Sequence, residues 1–210
     1  MNNRLVFWLV PAFLYLVFAT WYTGLGGPLK PQEIQTLLAA MEARGISADR
    51  RQHMRRFMEE DTGRQIFVIN ALDMAENPTL PAGANPGATS DDLMNHYMEH
   101  MYPEQLKRAS HPIFYGEAIA DAIDLVGMGE EARHWERGAI FRYRSRRDLM
   151  EIATNPAFGE RHDYKLAALD KTIAYPMESI INFGDPRVLL FLIVGFVIAL
   201  VDILVFGSRR

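Results

Sequence analysis

The chain has no cysteine. That excludes a disulfide framework, a thiolate nucleophile and cysteine metal ligands, and it is compatible with an exported, oxidising compartment without requiring one. No glycine-rich phosphate loop follows a strand pattern. No residues form a recognisable nucleophile–base pair. Positive charge is in short supply, with 22 Lys and Arg against 26 Asp and Glu. An acidic chain of this kind is a poor nucleic-acid binder, and no nucleic-acid partner is expected. The sequence names neither a reaction nor a cofactor.

Charge is absent from one long stretch and nearly absent from another. Residues 5–22 read LVFWLVPAFLYLVFATWY; residues 188–206 read VLLFLIVGFVIALVDILVF, with Asp202 as the one charged side chain. Each run is about 18–19 residues, enough to cross roughly 30 Å of hydrocarbon as a helix. Two transmembrane helices are expected. The alternative for the first is a cleaved signal peptide ending in Val-Phe-Ala at Ala19, against which Trp21 and Tyr22 read as interfacial anchors. Arg4 precedes the first run and Arg209-Arg210 follow the second. The rule that positive flanks stay inside then predicts both termini cytoplasmic and the central part on the far side; the bacterial inner membrane, with that part periplasmic, is the expected location. That part, residues 23–187, holds all the acidic residues but Asp202 and all the basic ones but Arg4, Arg209 and Arg210, so it is net negative.

Five segments follow: a first span (1–22), a linker with two amphipathic helices (23–62), an α+β domain (63–176), a linker (177–187) and a second span with its tail (188–210). Pro31 opens a helix with Ile34, Leu37, Leu38 and Met41 on one face, and Gly45 stops it. Ser47 caps the next, which carries Arg50, Arg51, Arg55 and Arg56 and then Glu59, Glu60 and Asp61. This is either a site for lipid headgroups or an acidic partner, or a solvated face tied by Arg55–Glu59 and Arg56–Glu60 pairs. A strand is expected over 65–72 (QIFVINAL), then a Pro/Gly-rich loop to residue 89, a helix capped by Ser90 that Pro103 ends or kinks, and a strand over 113–119. From 134 to 143, Trp135, Arg137, Ala139, Phe141 and Tyr143 alternate with the residues between them, which is strand period. Ser145 with Asp148 forms a capping box, Leu149, Ile152 and Ala153 make an inner stripe, and Asn155-Pro156 starts a second helical segment. A short strand over 172–175 closes the domain.

The aromatic strand followed by SRRDLMEIATNPAF, His162 four residues after Phe158, Ala167 to Leu169, and the upstream strand with Asn70 inside an apolar run together resemble the dimeric α/β-barrel superfamily. The likeness covers residues 65–176 and points to an uncharacterised branch. It implies a ferredoxin-like domain, a pseudo-duplicated βαβ–βαβ chain whose sheets pair back to back in a homodimer. It also implies a ligand cleft between helices and sheet. Trp135, Phe141 and Tyr143 are the expected contributors to the paired surface, unless the two N-terminal helices cover that face instead.

Phe158, His162, Leu166 and Leu169 recur at helical spacing, so His162 is expected to look inward, as a ligand contact or proton donor or as a core histidine bonded to a neighbour such as Tyr143. Asn70, Tyr115 and Tyr143 are the other polar groups expected at the cleft. His96-Tyr97-Met98-Glu99-His100 fits H-x-x-E-H, a zinc-protease spacing, with Glu178 the nearest third ligand. The alternative is a helix packing Met94, Met98 and Met101 inward. On the second span Gly195, Ala199 and Asp202 share a face for close helix packing, and Arg4 is the expected partner of Asp202. Two functions compete. One is a membrane-anchored accessory or binding subunit, acting through self-association or a membrane complex in contact with lipid. The other is a membrane-tethered enzyme acting on a small apolar substrate in the cleft.

Overall fold

In a computed structural model, residues 3–207 are described, residue 160 by its backbone alone. The basic pair Arg209-Arg210 lies outside the described residues. In chain order the elements are α1 (Asn3–Thr23), α2 (Pro31–Ala43), α3 (Ala48–Glu59), β1 (Ile66–Met74), α4 (Ser90–Lys107), β2 (His111–Glu117), β3 (Arg137–Tyr143), α5 (Arg146–Thr154), α6 (Pro156–Ala167), β4 (Leu169–Met177) and α7 (Pro186–Phe206). They form two units, one of residues 3–25 with 179–207 and one of residues 26–178.

The first unit is an antiparallel pair of helices, both long and apolar enough to cross a membrane. Most of their large side chains point outward, as with Phe13 and Phe196. Three contacts set the register. The Tyr15 hydroxyl donates to the Arg187 carbonyl at 3.2 Å, the Tyr15 and Phe191 rings lie 5.5 Å apart, and Arg187 Nη1 donates to Thr23 Oγ1 at 3.1 Å. At the other end the Phe7 and Phe206 rings are 6.0 Å apart.

The second unit is α+β. Its four strands lie in the order β2-β3-β1-β4, every neighbouring pair antiparallel. The connectivity is β1-α4-β2-β3-α5-α6-β4, two strand–helix–strand passes. The helices α4, α5 and α6 cover one face of the sheet. Ile66, Tyr97, Met101, Tyr143, Ile152 and Phe158 form the buried cluster between them. Local chemistry sets the helix starts. The Thr89 side chain accepts from Asp92 N, with Asp92 returning the bond, so the cap stands one residue before the expected Ser90. Ser145 Oγ accepts from Asp148 N at 3.1 Å, and Asn155 Oδ1 from Ala157 N at 3.0 Å.

The helices α2 and α3 add an outer layer on the helical side. Their stripe of Ile34, Leu37, Leu38 and Met41 packs with Met58 and with Met150 of α5. Two arginines of the SRRD stretch pin this layer. Arg146 donates to the Phe57 carbonyl at 2.6 Å and to Glu178 at 3.0 Å, and Arg147 holds Glu33 through two bonds, 2.9 and 3.1 Å, and the Pro28 carbonyl at 3.0 Å. Gly63 fits this junction for two reasons. Its φ is +73°, and a Cβ there would stand 2.8 Å from backbone atoms of Gly27 and Pro28. In α3, Arg55 and Glu59 approach to 3.8 Å, while no Arg56–Glu60 pair forms among the described residues.

The other face of the sheet keeps a different set. Residues directly opposite in an antiparallel ladder point to the same side. Ile140 stands opposite Ile69 and Phe114, Ile69 opposite Tyr175, and Ala71 opposite Ile173. These residues point away from α4–α6, and neither α2 nor α3 packs on them. Phe114 is 55% exposed, Tyr175 44% and Ile173 43%. The expectation that Phe141 and Tyr143 build this surface is corrected: both pack under the helices. Trp135 precedes β3, its indole N–H donating to the Ala132 carbonyl at 2.8 Å. Two further expectations change. The α4 helix runs through Pro103 to Lys107, held on either side of the proline by buried Met101 and Gln105. The closing strand β4 runs over nine residues, not four, and includes Pro176, which an edge strand tolerates because that residue's N–H need not enter a ladder.

Candidate functional site

A cavity of about 370 Å³ lies between the sheet and α4, α5 and α6. The four residues Asn70, Tyr115, Tyr143 and His162 all line it. Its walls are largely apolar, with Val68, Met94, Met98, Phe141, Leu149 and Ile152 among them. Such a volume, mostly apolar with a few convergent polar groups, is in the range of small-molecule pockets.

Each polar group is held by its element. Asn70 sits mid-strand in β1, opposite Ala139 and Ala174, and its amide nitrogen donates to the Val68 carbonyl at 3.2 Å and the Ala139 carbonyl at 3.5 Å. Tyr143 ends β3 in full burial, which pushes its hydroxyl up to about 12 and keeps it a neutral hydrogen-bonding group. That hydroxyl takes a 3.1 Å bond from Gln105 Nε2, and among the described residues no bond joins it to His162. Tyr115 is 60% exposed and stands at the rim, where Arg137 donates to its hydroxyl at 3.2 Å. Arg137 also forms a two-bond pair with Asp91, which holds the Asp91 carboxyl below the usual carboxylate range.

The His162 ring stacks on Phe158, with centroids 5.3 Å apart, and its Nδ1 is buried without a hydrogen-bond partner among the described residues. Burial, and then the nearby Lys165 charge, push its pKa below the ordinary value of 6.5. The neutral imidazole is therefore the resident form at neutral pH. In the unfolded chain the ring takes up its proton first as pH falls, so the stability associated with His162 is full above about 6.5 and is lost on acidification toward the folded-state value. Replacing it should flatten that loss. His162→Phe is expected to show a smaller drop in thermal unfolding temperature between about pH 7 and pH 5 than the natural chain. An equal or steeper drop would mean that His162 charges freely in the folded protein.

Gln105 and Lys165, both on the cavity wall, were not singled out in the sequence. Gln105 is 1% exposed, and its Oε1 is buried without a partner among the described residues. Its place was legible, since Tyr97, Met101 and Gln105 follow at four-residue steps along the buried face of α4. The other is Lys165. The inward stripe of α6 runs from Phe158 and His162 to Lys165, whereas Leu166, expected inside, is 54% exposed.

Among the described residues, the H-x-x-E-H side chains do not gather with a third potential ligand. The His96 ring lies tilted against Tyr164, with centroids 4.3 Å apart, and approaches Glu99 at 3.6 Å, and Glu178 is engaged by Thr62 and Arg146. Among the described residues, the three potential ligands that come together are Asp73, His134 and Glu136, with ligand atoms within 4.8 Å of one another. Lys171 stands 3.3 Å from Asp73 and already supplies positive charge there.

In the helical pair, Arg4 meets Asp202 through two bonds, Nε to Oδ1 at 2.9 Å and Nη2 to Oδ2 at 2.6 Å. Asp202 and Ile198 are the buried residues of α7. Gly195 makes no close contact, because a Cβ there would meet no atom within 4 Å. The printed contacts of α7 with α1 fall at Phe191, Asp202 and Phe206.

No protein-family model matches the chain, and no curated protein matches it in sequence. Among solved structures it is similar to RPA0582, a protein of unknown function from Rhodopseudomonas palustris, at 16% identity and a TM-score of 0.51, over 62% of this chain and 94% of that one. The methylated form of RPA0582 gives 17% identity and the same TM-score, over 64% and 93%. A fainter likeness, TM-score 0.36 at 14% identity, to the hydroxynitrile lyase from Passiflora edulis carries no argument. At these identities the similarity speaks to the fold alone, an α+β sheet shared with proteins of unknown function.

Proposed function

We propose that this is a membrane-anchored binding protein whose central domain takes up a small, largely apolar ligand between its helices and sheet. The carrying observation is the cavity itself, with Asn70, Tyr115, Tyr143 and His162 on one apolar chamber. We read the domain as a ferredoxin-like member of the dimeric α/β-barrel superfamily. The strand order β2-β3-β1-β4 and the two strand–helix–strand passes support that reading. The apolar outer face, left bare by α2 and α3, supports pairing with a second copy. The location we propose is the bacterial inner membrane, with the acidic domain on the periplasmic side, where it would serve as an accessory or binding subunit. The tethered-enzyme reading draws on the same cavity, with neutral His162 as its acid–base group.

Extraction of the full-length protein directly into polymer-bounded native discs tests the binding reading. Small molecules released from the protein should include one near stoichiometric amount. An Ala139→Phe variant, which fills the chamber from its sheet floor, should lack it. Equal recovery from both proteins would place the molecule elsewhere, and none from either would count against a resident ligand.

A further inference from the structure

Lys165 is the cavity's unexplained charge. Its ammonium lies over the face of Tyr97, with Nζ 5.8 Å from the ring centroid, on the wall of the apolar chamber. Among the described residues no carboxylate stands within ion-pair distance of it. Arg137, the other cation on the wall, is already paired with Asp91. A cation held against an apolar chamber is costly unless an anion joins it, and a ring face offsets only part of that cost. A second group points to a ligand in the same chamber. Gln105, almost fully buried, presents Oε1 without a partner on the same cavity, next to the Tyr143 hydroxyl. Amide oxygen and nitrogen can exchange places in such a network, but either arrangement leaves one polar atom of Gln105 for a ligand.

We infer that the cavity takes a small amphipathic monocarboxylate, its carboxylate paired with Lys165 and its apolar body lying along Met94, Met98, Phe141 and Ile152. This rests on the binding reading above and adds the ligand's charge. Several features fit. Burial holds the Lys165 ammonium below its usual range, and a carboxylate would reverse that penalty. The histidine beside it is neutral, so it adds no competing charge. The volume of about 370 Å³ corresponds to about a dozen water-sized volumes of roughly 30 Å³. That is room for a medium-length acyl chain or an aryl-alkyl group, and too little for a phospholipid. Such an acid could be lipid-derived or soluble, and the carboxylate chemistry is common to both.

The test uses the full-length protein in lipid nanodiscs, with empty nanodiscs as the reference for partitioning. Octanoate and 3-phenylpropionate are titrated calorimetrically beside their primary amides, which keep the shape and lose the charge. At least one acid should bind about tenfold or more tighter than its amide, as expected for a charge-assisted bond in an apolar site. Preference for octanoate would indicate a lipid-derived acid, and preference for the aryl acid a soluble one. Lys165→Met should erase the acid's advantage while leaving amide binding in place, which also shows that the variant is folded. Equal binding of acid and amide, or an advantage that survives in Lys165→Met, would overturn the carboxylate inference and leave the binding reading standing. If none of the four molecules binds the natural chain, both fall.

Discussion

Purified full-length protein in mild detergent is expected to sediment as a dimer, and a variant carrying Ile173→Asp and Tyr175→Asp as a monomer. Both side chains lie on the edge strand β4, on the face of the sheet turned away from its helices, and both are more than two-fifths exposed in the single chain. They contribute little to the fold of one copy, so the charges should not unfold it. Pairing sheet to sheet would bury them twice, because a two-fold interface uses the same patch on both subunits. Fully burying such a side chain is worth about 1.5–3 kcal/mol. Since each is already about half covered, roughly 0.8 kcal/mol apiece is the conservative figure. Four side chains then give about 3 kcal/mol, or a dissociation constant raised about 100-fold. The desolvation of four new carboxylates comes on top of that. The same substitutions should leave ligand binding unchanged, because the cavity lies on the opposite face. A natural chain that is monomeric, or a variant that stays dimeric, would mean that the outer face meets a different partner.

The second large effect is expected at Arg4 and Asp202. The absence of native cysteine makes the measurement clean: Phe7→Cys and Phe206→Cys, at positions whose rings lie 6.0 Å apart, should crosslink within one chain on mild oxidation. Adding Asp202→Leu should slow that crosslinking about tenfold, since the two-bond pair is the polar tie between these helix ends and interhelical hydrogen bonds in membranes are worth about 1–2 kcal/mol. Asp202→Asn should cost less, because an amide oxygen still accepts from the guanidinium. The swap Arg4→Asp with Asp202→Arg should recover part of the rate, with topology checked in parallel because the swap moves a positive charge off the N-terminal flank. Unchanged crosslinking in Asp202→Leu would show that helix packing alone holds the pair.

The sequence read most clearly where one local rule acted alone. Alternation marked β3, an apolar run around Asn70 marked β1, and the Ser145–Asp148 and Asn155-Pro156 pairs marked the starts of α5 and α6, because a cap is a contact between residues two or three apart and needs no tertiary information. The end of β4 was hidden. Its residues DKTIAYPM carry a proline, and only the strand's place at the sheet edge makes that acceptable. Pro103 does not end α4, since burial of Met101 and Gln105 outweighs a local helix breaker. The alternating set of β3 was recognised but assigned to the wrong side. Period two divides a strand into two faces, and nothing local says which one the helices cover. In the cavity, Asn70 and His162 stood out as polar residues in apolar patterns. Lys165 did not, because a lysine near the end of a helix reads as a solvated charge and its position over Tyr97 depends on how α6 crosses α4.

The central claim is that the chamber between helices and sheet admits a small molecule, and the methionines report on it directly. Met74, Met94, Met98 and Met101 line the cavity, whereas Met41, Met54 and Met58 belong to the separate cluster under α2 and α3. With the methionine methyl groups of the full-length protein labelled and assigned, millimolar indole is added and their NMR signals are followed. The account predicts saturable shifts at Met94, Met98 and Met101, with Met41 and Met58 unmoved. No saturable shift at the cavity methyls, or shifts of equal size in both clusters, would contradict it.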